Sequence, residues 1–174
     1  IAAALRKDRL LMIGAPTEEG KLGPVETLKN DLEGLADYVL VEADGSRGRP
    51  LKAPAEYEPV FPKGVALTIA VAGMNCFGET IAEAAHRPGL YAGLTGARVE
   101  DPVTPEMVAS VLTHPEGQRK GVVGRYLVVL NQADTEDKLA FARSIAERID
   151  DDTIILALKT HPEFVEYYRH GKIC

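Results

Sequence analysis

Chemistry is concentrated in 38–54, YVLVEADGSRGRPLKAP, where acids, small turn residues and cations follow in close succession. Glu42 and Asp44 stand at the carboxyl end of an apolar run, 38–41, that reads as a buried strand. In open α/β sheets ligands bind at that end of the strands. Two acids there suit a magnesium ion bridging nucleotide phosphates, or an attacking water. Gly45, Ser46 and Gly48 let the backbone turn closely, while Arg47, Arg49 and Lys52 are cations suited to phosphate. The same composition also suits a charged loop whose acids and bases pair with each other.

A second constellation, LVVLNQADTED, places Asn131, Gln132 and Asp134 directly after an apolar strand. It resembles the Asn-Lys-x-Asp motif of GTPases, whose aspartate reads the guanine edge; Gln132 stands where that motif has its lysine. Asp134 or Thr135 also suits the cap of the following helix, and base reading and capping are compatible. His86-Arg87, ahead of Pro88, is a candidate phosphate or substrate contact, or else a solvated helix end. His114, His161 and His170 have no ligand spacing with Cys76 or Cys174, so no zinc site is expected. No Gly-x-Ser-x-Gly elbow or Cys-His-Asn arrangement is present.

The stretch 12–23, MIGAPTEEGKLG, has the scenery of a phosphate loop, with an apolar run before it and a Gly-Lys pair within it. It departs from G-x-x-x-x-G-K-[ST] in spacing and lacks the magnesium-ligating hydroxyl, since Leu22 follows Lys21. Glu18 and Glu19 would repel a polyphosphate, and Pro16 removes a backbone donor from the cradle. A surface connection is the better reading.

The elements that must hold these residues alternate. Helices are expected at 1–8, 24–36, 79–85, 90–94, 104–112, 135–149 and 162–170, and strands at 10–15, 38–41, 65–72, 125–130 and 153–158. The Pro-rich stretch 49–63 suits neither a helix nor a central strand. Short apolar strands separated by helices predict an α/β fold of three layers around a mostly parallel sheet, formed by 1–174 as a single domain.

The composition sets outer bounds. With 174 residues, 45% hydrophobic, the chain can bury a core without disulfides or metals. A net charge of −6 argues against a nucleic-acid surface or an acidic membrane as partner. No apolar run reaches a membrane span. The two cysteines read as free thiols of a reducing, cytoplasmic protein, with Cys76 a buried structural thiol.

The segment YVLVEADGSRGRPLKAPAEYEPVFP, continued by HRPGLYAGLTG and LNQAD, resembles the selenium-dependent hydroxylase accessory proteins of the YqeC family. That resemblance implies a P-loop NTPase-like fold and a role in maturing molybdenum hydroxylases that carry selenium. The family's phosphate loop has no counterpart in this sequence, so on that resemblance the chain is expected to be the portion downstream of it, incomplete at the N-terminus. In the full-length protein the resemblance implies a nucleotide (GTP or ATP) with Mg²⁺. Glu42 and Asp44 would be its metal and catalytic residues, and Gly45, Ser46, Arg47, Lys52, His86 and Arg87 its phosphate or substrate contacts. Asn131, Gln132 and Asp134 would read the base. This chain alone is not expected to catalyse phosphoryl transfer. The implied partner is a molybdenum hydroxylase or a cofactor-maturation protein. A non-catalytic module that recognises a partner enzyme or a cofactor precursor is the alternative.

Overall fold

The structure, a computed structural model, describes residues 2–18, 22–23, 25, 34–157 and 164–174. It divides into two compact units, Ile1–Glu42 with Phe61–Gly64, and Ala43–Val60 with Val65–Cys174.

In the first unit α1 (Ala2–Asp8) is the helix expected over 1–8, and it ends where Arg9 turns left-handed at φ 60°. β1 (Ala15–Pro16) pairs antiparallel with β2 (Leu22–Gly23), whereas a phosphate loop runs from strand to helix. The expected strands at 10–15 and 38–41 are corrected here. Leu10 to Gly14 form no strand, and neither do Tyr38 to Val41; Leu10 and Leu40 are 84% and 91% exposed. A short apolar run encodes a preference for burial but no pairing partner, and a strand exists only with its ladder. Most of the helix expected at 24–36 lies outside the described residues.

The second unit carries the sheet. β3 (Leu51–Lys52) and β5 (Ala85–His86) form a small parallel pair with Lys52 beside His86. β4 (Leu67–Gly73), β6 (Arg125–Asn131) and β7 (Asp152–Ala157) run parallel, followed by antiparallel β8 (Phe164–Arg169) and β9 (Lys172–Ile173) in the order β4-β6-β7-β8-β9. The α/β class holds, and the sheet expected to be mostly parallel is mixed, with three parallel strands followed by two antiparallel ones.

The expected helix at 162–170 is overturned by β8. Its alternation explains why: Glu166 and Tyr168 face inward, Tyr168 buried, while Val165 is exposed. Aromatic and β-branched residues at period two favour a strand.

Helices α2 (Ile81–Ala84), α3 (Pro88–Thr95), α4 (Pro105–Thr113) and α5 (Glu136–Ala146) lie close to the spans read from the sequence. Their starts are chemically marked. Thr80 and Glu83 form a capping box, and the Thr104 and Thr135 hydroxyls accept the N–H groups of Met107 and Lys138. Ala70, Ala72, Tyr126, Val128, Leu130 and Ile155, from one face of the sheet, join Val108, Val111, Leu112, Ala142 and Ile145 of α4 and α5 in the core. The Tyr126 hydroxyl donates to Leu112 O at 2.7 Å. On the other face Leu67, Ile69 and Val71 are 39%, 47% and 58% exposed. Among the described residues of the second unit, helices cover one face of the sheet, where cover on both faces was expected.

Candidate functional site

The carboxyl ends of β4 and β6 draw the two constellations of the second unit together. Gly73, the last residue of β4, donates its N–H to Pro50 O at 2.9 Å. A Cβ placed on Gly73 would lie 3.0 Å from both Pro50 Cβ and Gln132 Oε1. The absence of a side chain at Gly73 is therefore what lets the loop leading to Lys52 approach the loop after β6.

Lys52 organises the first cluster. Its side chain is almost wholly buried, with Nζ 3.0 Å from Asp44 Oδ2 and 2.9 Å from Glu58 Oε2, and it donates to Gly45 O at 2.8 Å. An ammonium has three protons, and these three acceptors use them all. Glu58 also takes a two-pronged interaction from Arg87, whose Nη1 lies 2.6 Å from Oε2 and Nη2 3.1 Å from Oε1, while Nη2 reaches Tyr57 Oη at 3.2 Å. Burial alone would raise the Glu58 pKa. The hydrogen bonds from Arg87, Lys52 and the Ala55 N–H outweigh it and hold the carboxyl at about 2. Two cations and two carboxylates thus form a closed, neutral set.

The Pro-rich loop that carries this set is bolted down. Gln118 Nε2 donates to Lys52 O at 2.9 Å, and Lys120 Nζ donates to the carbonyls of Ala55 and Glu56 at 3.0 and 2.9 Å. A small cavity beside Lys52 is bounded by Leu51, Val71, Tyr91, Val108 and Gln118, and the Tyr91 hydroxyl is buried without a hydrogen-bond partner.

The remaining predicted residues fall around this frame. Ser46 O accepts the Arg49 N–H at 3.1 Å, closing a turn through Arg47 and Gly48. Arg49 reaches Glu83 O. Burial first, then the Arg87, Lys52 and Arg47 cations, holds the His86 imidazole below its ordinary pKa. Glu42 is exposed and belongs to the first unit.

In the second cluster Asn131 Oδ1 accepts the Gln132 N–H at 2.9 Å, and Gln132 Oε1 accepts Asn75 Nδ2 at 3.0 Å. Lys138 donates to Asn75 Oδ1 at 2.6 Å. Asp134 is half-buried just ahead of α5, where Thr135 supplies the cap. Cys76 is fully buried, which pushes its thiol up to about 12, an inert structural cysteine.

Backbone strain is found in both loops. Among the described residues five non-glycine residues have positive φ, and Arg47 (54°), Arg87 (61°) and Gln132 (66°) are three of them. Such conformations persist where the surroundings over-determine them, which is common at binding sites.

Sequence reasoning missed Glu58, Tyr57, Asn75 and Lys138. A signal for Glu58 was present, an acid held directly before Pro59 in a Pro-rich run, but not its two partners.

A family model described as "YqeC protein" matches residues 1–89. The chain belongs to the YqeC family. The match spans every member of the Lys52 cluster and ends before Asn131. The chain is also similar to a protein of Escherichia coli (strain K12) described as "Uncharacterized protein YqeC", 40% identical over 87 residues. That alignment covers 49% of this chain and 34% of the relative, so the similarity extends over about a third of that YqeC protein. No solved structure matches the chain. No described helix is long and apolar enough to cross a membrane.

For the magnesium ion that the resemblance implies, the donors can be compared with what a divalent cation needs. Asp44 has its carboxylate against a buried ammonium, and Glu58 faces two cations. Among the described residues no group of three or more His, Cys, Asp or Glu side chains is placed to hold a metal. With both carboxylates already holding cations, the Lys52 cluster as folded does not fit Mg²⁺.

Proposed function

We propose that this chain provides the ligand-recognition portion of an accessory factor that serves the maturation of selenium-dependent molybdenum hydroxylases, and that its ligand is a phosphate-bearing nucleotide, GTP or ATP. The observation that carries the ligand reading is that left-handed residues border both loops, Arg47 and Arg87 near His86 and Gln132 directly after β6. His86 and Arg47 offer charge and hydrogen bonds to phosphate there, while Asn131, Gln132 and Asp134 stand at the end of the neighbouring strand. Membership of the YqeC family, and the resemblance of 38–62 to the hydroxylase accessory proteins, support the maturation role.

A second reading has its own observation. Asp44, Glu58 and Lys52 neutralise one another, and none is left poised as a base or nucleophile. That favours binding over catalysis, and it suits a module that recognises a partner enzyme or a cofactor precursor.

Thermal shift of the chain with GTP and with ATP tests the proposal. Saturating nucleotide is expected to raise Tm, and Asp134→Asn is expected to diminish the GTP shift more than the ATP shift. No shift with either nucleotide overturns the nucleotide reading and leaves the recognition module. Equal losses with both nucleotides overturn base reading by Asp134.

A further inference from the structure

We infer that the anion site at the carboxyl edge of β4 works without a divalent cation, the Lys52 ammonium taking the place of a metal against the Asp44 and Glu58 carboxylates. This rests on the anion-binding reading above and adds to it how the site balances charge.

The argument begins with Asp44. Its Oδ2 lies 3.0 Å from Lys52 Nζ, and the lysine is almost wholly buried. A magnesium ion held by that carboxylate would sit a few ångströms from an ammonium that cannot retreat into water. Like charges that close repel strongly where solvent is scarce. Nor can Lys52 swing aside easily. Its three protons are committed to Asp44, Glu58 and Gly45 O, and its own carbonyl is held by Gln118 at 2.9 Å. Glu58 is closed to a metal for the same reason, since Lys52 and Arg87 both hold it.

An arriving anion therefore meets a neutral frame rather than an acidic one. Arg47 is exposed, outside the closed set, and lies near His86. The Arg87 guanidinium has five donors and the contacts to Glu58 and Tyr57 engage three, leaving donors for an anion. Magnesium commonly binds through one or two carboxylates together with substrate phosphates. Here the carboxylates hold Lys52 and Arg87 instead.

The test is isothermal titration of the full chain with inorganic phosphate, in EDTA and in millimolar MgCl2, alongside thermal shift with MgCl2 alone. The expected result is a phosphate Kd that agrees within about twofold between the two conditions, with no Tm change from MgCl2 alone. Lys52→Met leaves Asp44 and Glu58 without their shared cation. It is expected to weaken phosphate by at least about tenfold in EDTA and to become responsive to Mg²⁺. Asp44→Asn guards against a misfolded lysine variant, and it is expected to bind phosphate in EDTA as tightly as the parent chain or more so. Mg²⁺ tightening phosphate about tenfold or more in the parent chain, with Asp44→Asn abolishing the gain, overturns the inference and leaves anion binding intact. Absence of phosphate binding under every condition overturns the anion reading itself, and this inference with it.

Discussion

Glu58 accepts from two cations at once, and the consequence can be read from stability against pH. Its carboxyl is held at about 2 in the folded chain against an ordinary 4.5. A lowered folded value means that the stabilisation is complete above about 4.5 and is lost as the pH falls from there toward 2. Urea denaturation of the parent chain and of Glu58→Gln is expected to show a gap on the order of a few kcal/mol near neutral pH that closes across that acidic window. A gap independent of pH would mean that packing, not charge, is what Glu58 contributes. Arg47 makes a different residue-scale case. At φ 54° its side chain costs the backbone strain that glycine would not incur. Arg47→Gly is expected to keep or slightly raise Tm while weakening phosphate binding several-fold; parallel losses in both would place Arg47 in the scaffold. Neither residue's role was equally legible beforehand. Arg47 announces itself as a cation in a Gly-rich turn, whereas Glu58 gains its importance only when the loop folds back onto Lys52.

Among the elements, β4 is the one whose carboxyl end decides how closely two loops can meet. A side chain at Gly73 would press on Pro50 and Gln132 at 3.0 Å, so one of them would have to give way. Gly73→Val is expected to lower stability by about 1–3 kcal/mol, the range for forced overpacking, and to weaken ligand binding, with Gly73→Ala milder in both. Retained stability with lost binding would instead mean that the loops separate without disturbing the sheet. α4 and α5 were readable for a local reason: Thr104 and Thr135 mark their starts, and capping is written in neighbouring residues. β4, β6 and β7 were readable because their runs are apolar and bounded by turn residues. β8 was not, because FVEYYR alternates at period two behind a proline that invites a helical reading. The runs at 10–15 and 38–41 failed in the opposite sense, as apolarity without a ladder.

Across the whole molecule, what could be read in advance was class and neighbourhood rather than geometry. The α/β class and the placing of Asn131, Gln132 and Asp134 directly after a strand follow from apolar runs and motifs, whereas the loop after 41 was read from a strand end that does not form. The closure of Asp44, Lys52, Glu58 and Arg87 into a neutral set does not follow from either, because ion pairing depends on distances that spacing along the chain does not encode. The family match has the same grain, covering residues 1–89 and so one of the two loop clusters. The single backbone bond from Gly73 N–H to Pro50 O also carries information about the rest of its strand. In a strand, successive N–H groups point to alternate sides. If that of Gly73 turns away from β6, those of Val71 and Ile69 do too, while those of Ala72 and Ala70 turn toward it. Amide hydrogen exchange followed residue by residue should then flicker along β4, slow at Ala70, fast at Val71, slow at Ala72, and slow again at Gly73 where Pro50 covers it. Uniform protection through 69–73 would reveal a neighbour on the outer edge of β4.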